Sequence, residues 1–213
     1  MTTGSKIKGL FTNFLYNFGG ILIMNAVLQL FIYPSMNRRL GPEQLGIALF
    51  LLAFVNILSP SFGLAVNNNR LVSRRLPNLV NGDFSAVLLL FNAAAILVTL
   101  LAARNSLDNA LSFVLLALLL FLTTWRYYAE VEFRLNLTFR NYFIFYIALT
   151  IGYLVGYAGF VVLHDWYIIF LLGELAALTY VWVKGSIFHP IWQRGEHFPR
   201  VLKASSTLAV SYL

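Results

Sequence analysis

The sequence predicts an all-α fold: a polytopic membrane helical bundle of six transmembrane helices plus a truncated seventh. Three observations predict it. Of 213 residues, 60% are hydrophobic and 11% charged, under half the roughly 25% charge of a soluble domain. Apolar runs of about 20 residues, the length a helix needs to cross ~30 Å of hydrocarbon, recur along the chain. The basic residues also alternate between crowded and nearly empty connections. With low charge and 16% aromatic residues, the composition is the opposite of a disordered chain's. No cysteine is present, which excludes disulfides and thiolate metal sites.

Six stretches qualify as spans: about Leu10 to Tyr33, Gln44 to Val66, Phe84 to Ala103, Leu107 to Trp125, Tyr142 to Leu163, and Trp166 to Val183. A further apolar run opens at Ala204 and stops ten residues later at Leu213, too short to cross. The expected organisation is a six-helix lobe over residues 1–203 and the start of a seventh helix over 204–213. That stop reads as the front part of a longer protein.

The charges orient the bundle. Lys6, Lys8, Arg70, Arg74, Arg75, Arg126, Arg134, Arg140, Lys184, Arg194, Arg200 and Lys203 fall on one side, and only Arg38, Arg39 and Arg104 on the other. Basic residues stay cytoplasmic in short loops, so the amino terminus is expected inside. The net charge of +7 is therefore a topological signal with anionic-lipid contact attached. It does not gather on one soluble face, as nucleic-acid binding requires. Tyr33, Trp125, Tyr127, Tyr128, Tyr142, Trp166, Tyr167 and Trp182 fall at span ends, where amphipathic rings favour the headgroup zone.

Catalytic equipment is thin. His164, His189 and His197 lie in loops, and no metalloprotease, serine-hydrolase or paired-aspartate motif appears. No catalytic set, metal site or cofactor is expected, and the chain does not read as an enzyme. The polar residues inside the spans say more. Asn13 and Asn17, then Asn25 and Gln29, are pairs four apart in the first span. At 100° per residue these side chains share about half of the helix circumference. They fit interhelical hydrogen bonding or the wall of a hydrated cavity.

Glu174, at the centre of the sixth span, costs about 2.5–3.5 kcal/mol to insert and is expected to face the bundle. A structural hydrogen bond, cation coupling and contact with a polar substrate all fit it. Asn56 and Ser59-Pro60-Ser61 in the second span suggest a proline kink relieved by serine hydroxyls. The stretch from Arg126 to Asn141 reads as the fourth helix continuing into the cytosol. Arg70 and Arg74, one turn apart after the second span, are candidates for phosphate contact through forked hydrogen bonds.

The run Ile32-Tyr33-Pro34, followed by Arg38-Arg39-Leu40-Gly41-Pro42-Glu43-Gln44-Leu45-Gly46, resembles the first outer loop of polysaccharide-type flippases. These are members of the multidrug/oligosaccharidyl-lipid/polysaccharide exporter superfamily. A second span ending at Gly63, the Phe133-Arg134 to Asn141-Tyr142 junction, and Trp166 followed by Gly173-Glu174 are similar to it in layout.

The resemblance implies one lobe of a two-lobe transporter in the plasma (inner) membrane. Such a transporter passes a polyprenyl-pyrophosphate-linked oligosaccharide from inner to outer leaflet by alternating access, for surface polysaccharide biosynthesis. Asn25, Gln29, Asn56 and Glu174 would line its cavity, and Arg70 or Arg74 would meet pyrophosphate. Membrane lipids, and the remaining C-terminal lobe or a second copy, would be its partners. Cation-coupled multidrug efflux within the same superfamily, and a non-transporting scaffold for glycan-assembly enzymes, are the alternative functions.

Overall fold

A computed structural model describes residues 3–73, 78–107, 109–189, 193 and 195–212, with side chains from residue 12 onward except Asn13. The described residues are helical, with no strand among them. Helix α1 (Thr3–Ala26) runs through a π-helical turn (Val27–Ile32) into α2 (Tyr33–Ser73). Then follow α3 (Asn81–Ala103), α4 (Ala110–Ala129), the short α5 (Val131–Leu135), α6 (Phe139–Leu163), α7 (Tyr167–Lys184) and α8 (Phe198–Tyr212). Among the described residues, five segments are long and apolar enough to cross a membrane.

The first of these, Phe14–Ser73, is 60 residues long, far more than one bilayer needs. It breaks at Gly41, whose φ of 78° and ψ of 168° are the non-helical values inside α2. Pro42 explains the position: a residue before proline is pushed out of the helical region, and proline itself is favoured at a helix's first position. The expected outer loop is thus corrected to helix on both sides of a single glycine. At Pro60 no such break occurs. Helical backbone continues, and Ser61 donates its hydroxyl to the Ile57 carbonyl at 2.6 Å.

Contact registers give each helix its direction. Ser59 meets Leu120 and Asn67 meets Tyr127, so α2 and α4 are parallel. Arg126 meets Glu174, and Glu132 meets Gly185 just past α7, so α4 and α7 are parallel too. Gly156 lies against Ile168 and Gly152 against Leu172, making α6 and α7 antiparallel. Gly20 meets Tyr146 and Phe31 meets Tyr157, so α1 runs with α6. Phe62 meets Phe91 and Asn69 meets Ser205, so α3 and α8 oppose α2. Direction therefore alternates along the chain, and the two arms around Gly41 are antiparallel.

The lateral order runs α1, α6, α7, α4, α2, with α3 and α8 beyond; α1 does not pack along α2. The α6–α7 seam is the tightest, because Gly152, Gly156 and Gly173 let the two backbones touch. Helix α8 begins at Phe198, ahead of the expected Ala204, and packs on α2 and α3.

Trp125 and Tyr128 depart from the expected headgroup belt. Both are buried, because α4 extends beyond Trp125 and turns them onto Phe188 and Arg70. Trp182 remains exposed.

A Cβ on Gly152 would lie 2.5 Å from the Leu172 carbonyl oxygen and 2.6 Å from the Gly173 Cα, whereas one on Gly46 meets nothing. Gly152→Val is expected to destabilise the purified protein by about 1–3 kcal/mol in thermal unfolding. Gly46→Ala is expected to leave the midpoint unchanged or raise it, since alanine is the better helix former by ~1 kcal/mol. Equal midpoints for Gly152→Val and the parent would remove the close α6–α7 seam.

Candidate functional site

An acid in the middle of an apolar helix needs a partner, and Glu174 has one. Its Oε2 accepts from Arg126 Nε of α4 at 2.7 Å. Arg126 also donates through Nη1 to Glu130 Oε1, one turn further along its own helix, at 3.3 Å. Relative exposures of 2% for Glu174, 5% for Arg126 and 6% for Glu130 mean that water takes almost no part. The sequence count assigned Arg126 to a basic connection and the stretch after it to cytosol. The fourth helix does continue past Trp125, to Ala129, and what the sequence did not show is that Arg126 is buried against its neighbours there.

Helix α6 closes the cluster. Tyr146 donates its hydroxyl to Glu130 Oε1 at 2.7 Å, and Tyr142 to Glu130 Oε2 at 3.3 Å. Tyr153 donates to Glu174 Oε1 at 3.4 Å. The Arg126 guanidinium lies 4.0 Å from the Tyr127 ring centre, a favourable cation–π placement. One guanidinium therefore joins two carboxylates and three phenols across α4, α6 and α7. With both acids ionised the group carries one net negative charge.

Glu132, in the same stretch after Arg126, is buried as well. It accepts from the Ile187 backbone N–H at 2.9 Å and from Asn136 at 2.8 Å, holding the turn after α7.

The other cavity candidates do not join Glu174. Asn25, Gln29 and Asn56 are exposed on the surface of α1, the π-helical turn and α2. No side-chain hydrogen bond is found for them among the described residues, which argues against packing inside this bundle. Gln29 stands within the π-helical turn, a distortion that sequence periodicity gave no sign of and that occurs frequently at functional sites. Asn17 is half-buried. The Asn13 side chain lies outside the described residues, and so does all of Arg74.

Arg70, the candidate for phosphate contact that lies within the described residues, is half-buried and already engaged inside the bundle. Its guanidinium donates to the Tyr128 hydroxyl at 3.1 Å and to Asn81 Oδ1, and it stacks over the Phe84 ring at 4.9 Å. It is one member of a run, Asn67 to Arg70, that ties α2 to its neighbours. Asn67 donates to the Tyr127 carbonyl, and Asn69 to the Val201 carbonyl and Ser205 hydroxyl. Arg134 returns donors to Asn67 and Asn68.

Among the described residues no three His, Asp or Glu side chains form a metal-binding group. An apolar groove of about 400 Å³, lined by Leu89, Phe121, Trp125, Leu175 and Trp182 among others, opens between α3, α4 and α7. Comparison with family models, curated proteins and solved structures finds no match to this chain. The likeness to flippases therefore rests on the loop residues and the layout alone.

Losing one member of a buried ion pair strands the other charge, at a cost of about 3–5 kcal/mol, whereas replacing both by apolar groups is often neutral. Arg126→Met and Glu174→Leu are each expected to lower thermal stability clearly. Arg126→Met combined with Glu174→Leu is expected to recover part of the loss of Arg126→Met alone. Strictly additive losses would show that the pair is not coupled.

Proposed function

We propose that this chain is a multi-pass plasma-membrane protein forming one lobe of a transporter, and that the transporter flips a polyprenyl-pyrophosphate-linked oligosaccharide from inner to outer leaflet. The observation that carries this reading is the exposure of Asn25, Gln29 and Asn56 on helices otherwise fit for lipid. Exposed amides within an apolar span favour water or protein over acyl chains. Because α1 and α2 do not pack together, their polar surfaces are available to a second lobe or a second copy. Between two such lobes they would offer hydrogen bonds to sugar hydroxyls.

Counting the two antiparallel arms around Gly41 separately turns five long apolar segments into six spans, with α8 leading into a seventh. The ends of α2, α4 and α7 and the starts of α3, α6 and α8 lie at one end of the bundle, which collects most of the basic residues. Positive-inside bias then places that end, and the amino terminus, in the cytoplasm. Flipping makes and breaks no covalent bond, so the chemistry asks only for a hydrated passage and relative movement of lobes.

A second reading, cation-coupled export of small amphiphiles, is favoured by the excess carboxylate in the Arg126 cluster. It predicts that Glu174→Gln abolishes dye extrusion.

The deciding experiment uses a cell lacking its own flippase. The full-length protein is expected to restore surface polysaccharide, and Asn25→Leu with Gln29→Leu to lose most of it at normal membrane abundance. A protein that reaches the membrane yet never restores polysaccharide would overturn the assignment.

A further inference from the structure

We infer that the cavity between α1 and the first turn of α6 binds the phosphate of an anionic phospholipid headgroup, with Arg140 as its anchor. The cavity measures about 530 Å³ and is lined by Tyr16, Leu137, Thr138, Phe139, Arg140 and Asn141. It lies at the basic end of the bundle, where α6 begins and α2, α4 and α7 finish.

Among the described residues, the other arginines of that end are largely committed. Arg126 is buried in its ion pairs, Arg70 is held by Tyr128 and Asn81, and Arg134 donates to Asn67 and Asn68. Arg140 and Arg200 are exposed, and neither makes a hydrogen bond or ion pair among the described residues. Of these two, Arg140 lines a cavity. A guanidinium facing open space can take a phosphate by two parallel hydrogen bonds, which a lysine cannot reproduce.

The rest of the lining suits the same ligand. It contains no carboxylate, so nothing repels an anion. Tyr16 and Thr138 bring hydroxyl groups. Asn141 accepts from Tyr180 through its carbonyl oxygen, leaving its amide N–H groups to donate. Leu137 adopts a left-handed backbone (φ 51°) and is 69% exposed. That places an apolar side chain at the rim of a polar cavity, as the boundary between headgroup and acyl chain requires. This site is independent of the transport reading.

The test is thermal unfolding of the full chain in mixed micelles, titrated with phosphatidylglycerol, phosphatidylcholine or inorganic phosphate. Phosphatidylglycerol is expected to raise the midpoint, and the other two to leave it unchanged. Arg140→Gln is expected to weaken the apparent affinity for phosphatidylglycerol about tenfold or more. Arg140→Lys falls between, and Lys203→Gln, a charge at the same end away from the cavity, responds like the parent.

An unaltered response in Arg140→Gln, or an equal loss in Lys203→Gln, would overturn the site in favour of a diffuse surface potential. A rise with inorganic phosphate matching that with phosphatidylglycerol would overturn the lipid assignment. Thr138→Val with Asn141→Leu provides a second measurement by native mass spectrometry, in which retained phosphatidylglycerol is expected to fall. Unchanged retention would count equally against the cavity.

Discussion

The Arg126 guanidinium, clamped between Glu174 and Glu130, is the interaction on which the bundle's interior depends. Within apolar surroundings, Leu-on-Leu contact gives helices little reason to prefer one another, because lipid tails are equally apolar. Specific neighbours are chosen by close packing and by polar groups that have no other outlet. Arg126 supplies the strongest of these. It binds α4 to α7 through Glu174, and Glu130 passes the tie to Tyr142 and Tyr146 of α6. Beside it, the glycine seam of α6 and α7 brings two backbones together without a charge. The two devices share the same three helices and set their register together.

A second polar assembly closes one end of the molecule. Asn67, Asn68, Asn69 and Arg70 are consecutive, so their side chains radiate around α2 and reach four neighbours: α3, α4, α5 and α8. Four polar residues in a row have no amphipathic period, and by pattern alone they look like a helix running out into water. Their burial is intelligible only once α8 is in place, since Asn69 spends its amide on Val201 and Ser205. The same assembly occupies Arg70.

The spans were legible in the sequence because hydropathy and length are local properties. The third, fifth and sixth stretches each lie within three residues of their helices at either end. Reversal of the chain was legible too, from the gap between the first two apolar stretches, although not its concentration at Gly41. Glu174 announced itself as a buried acid needing a partner. Its partner stayed hidden because Arg126 stands where a predicted span was expected to finish, and a charge at a span end ordinarily marks topology. Burial of Trp125 and Tyr128 was missed because the continuing helix was expected to leave the bundle, whereas Phe188 and Arg70, distant in sequence, pack against it. The π-helical turn at Val27–Ile32 leaves no trace in composition or period.

A contrast remains between the two kinds of polar residue in the spans. The charges buried in the bundle are paired almost completely, with Arg126 bonded to Glu174 and Glu130, and both acids to tyrosines. The amides of Asn25, Gln29 and Asn56 are left on the outside. A bundle able to bury and satisfy an arginine could equally have turned three amides inward, or dispensed with them. Leaving them out carries a desolvation cost against lipid, and none against water or a polar neighbour. The arrangement makes sense if the exposed sides of α1 and of α2 each face something hydrophilic, while the Arg126 cluster holds α4, α6 and α7 rigid between them. A carrier built from two such halves would need both properties: a wet inner surface, and a body stiff enough to rock as a unit.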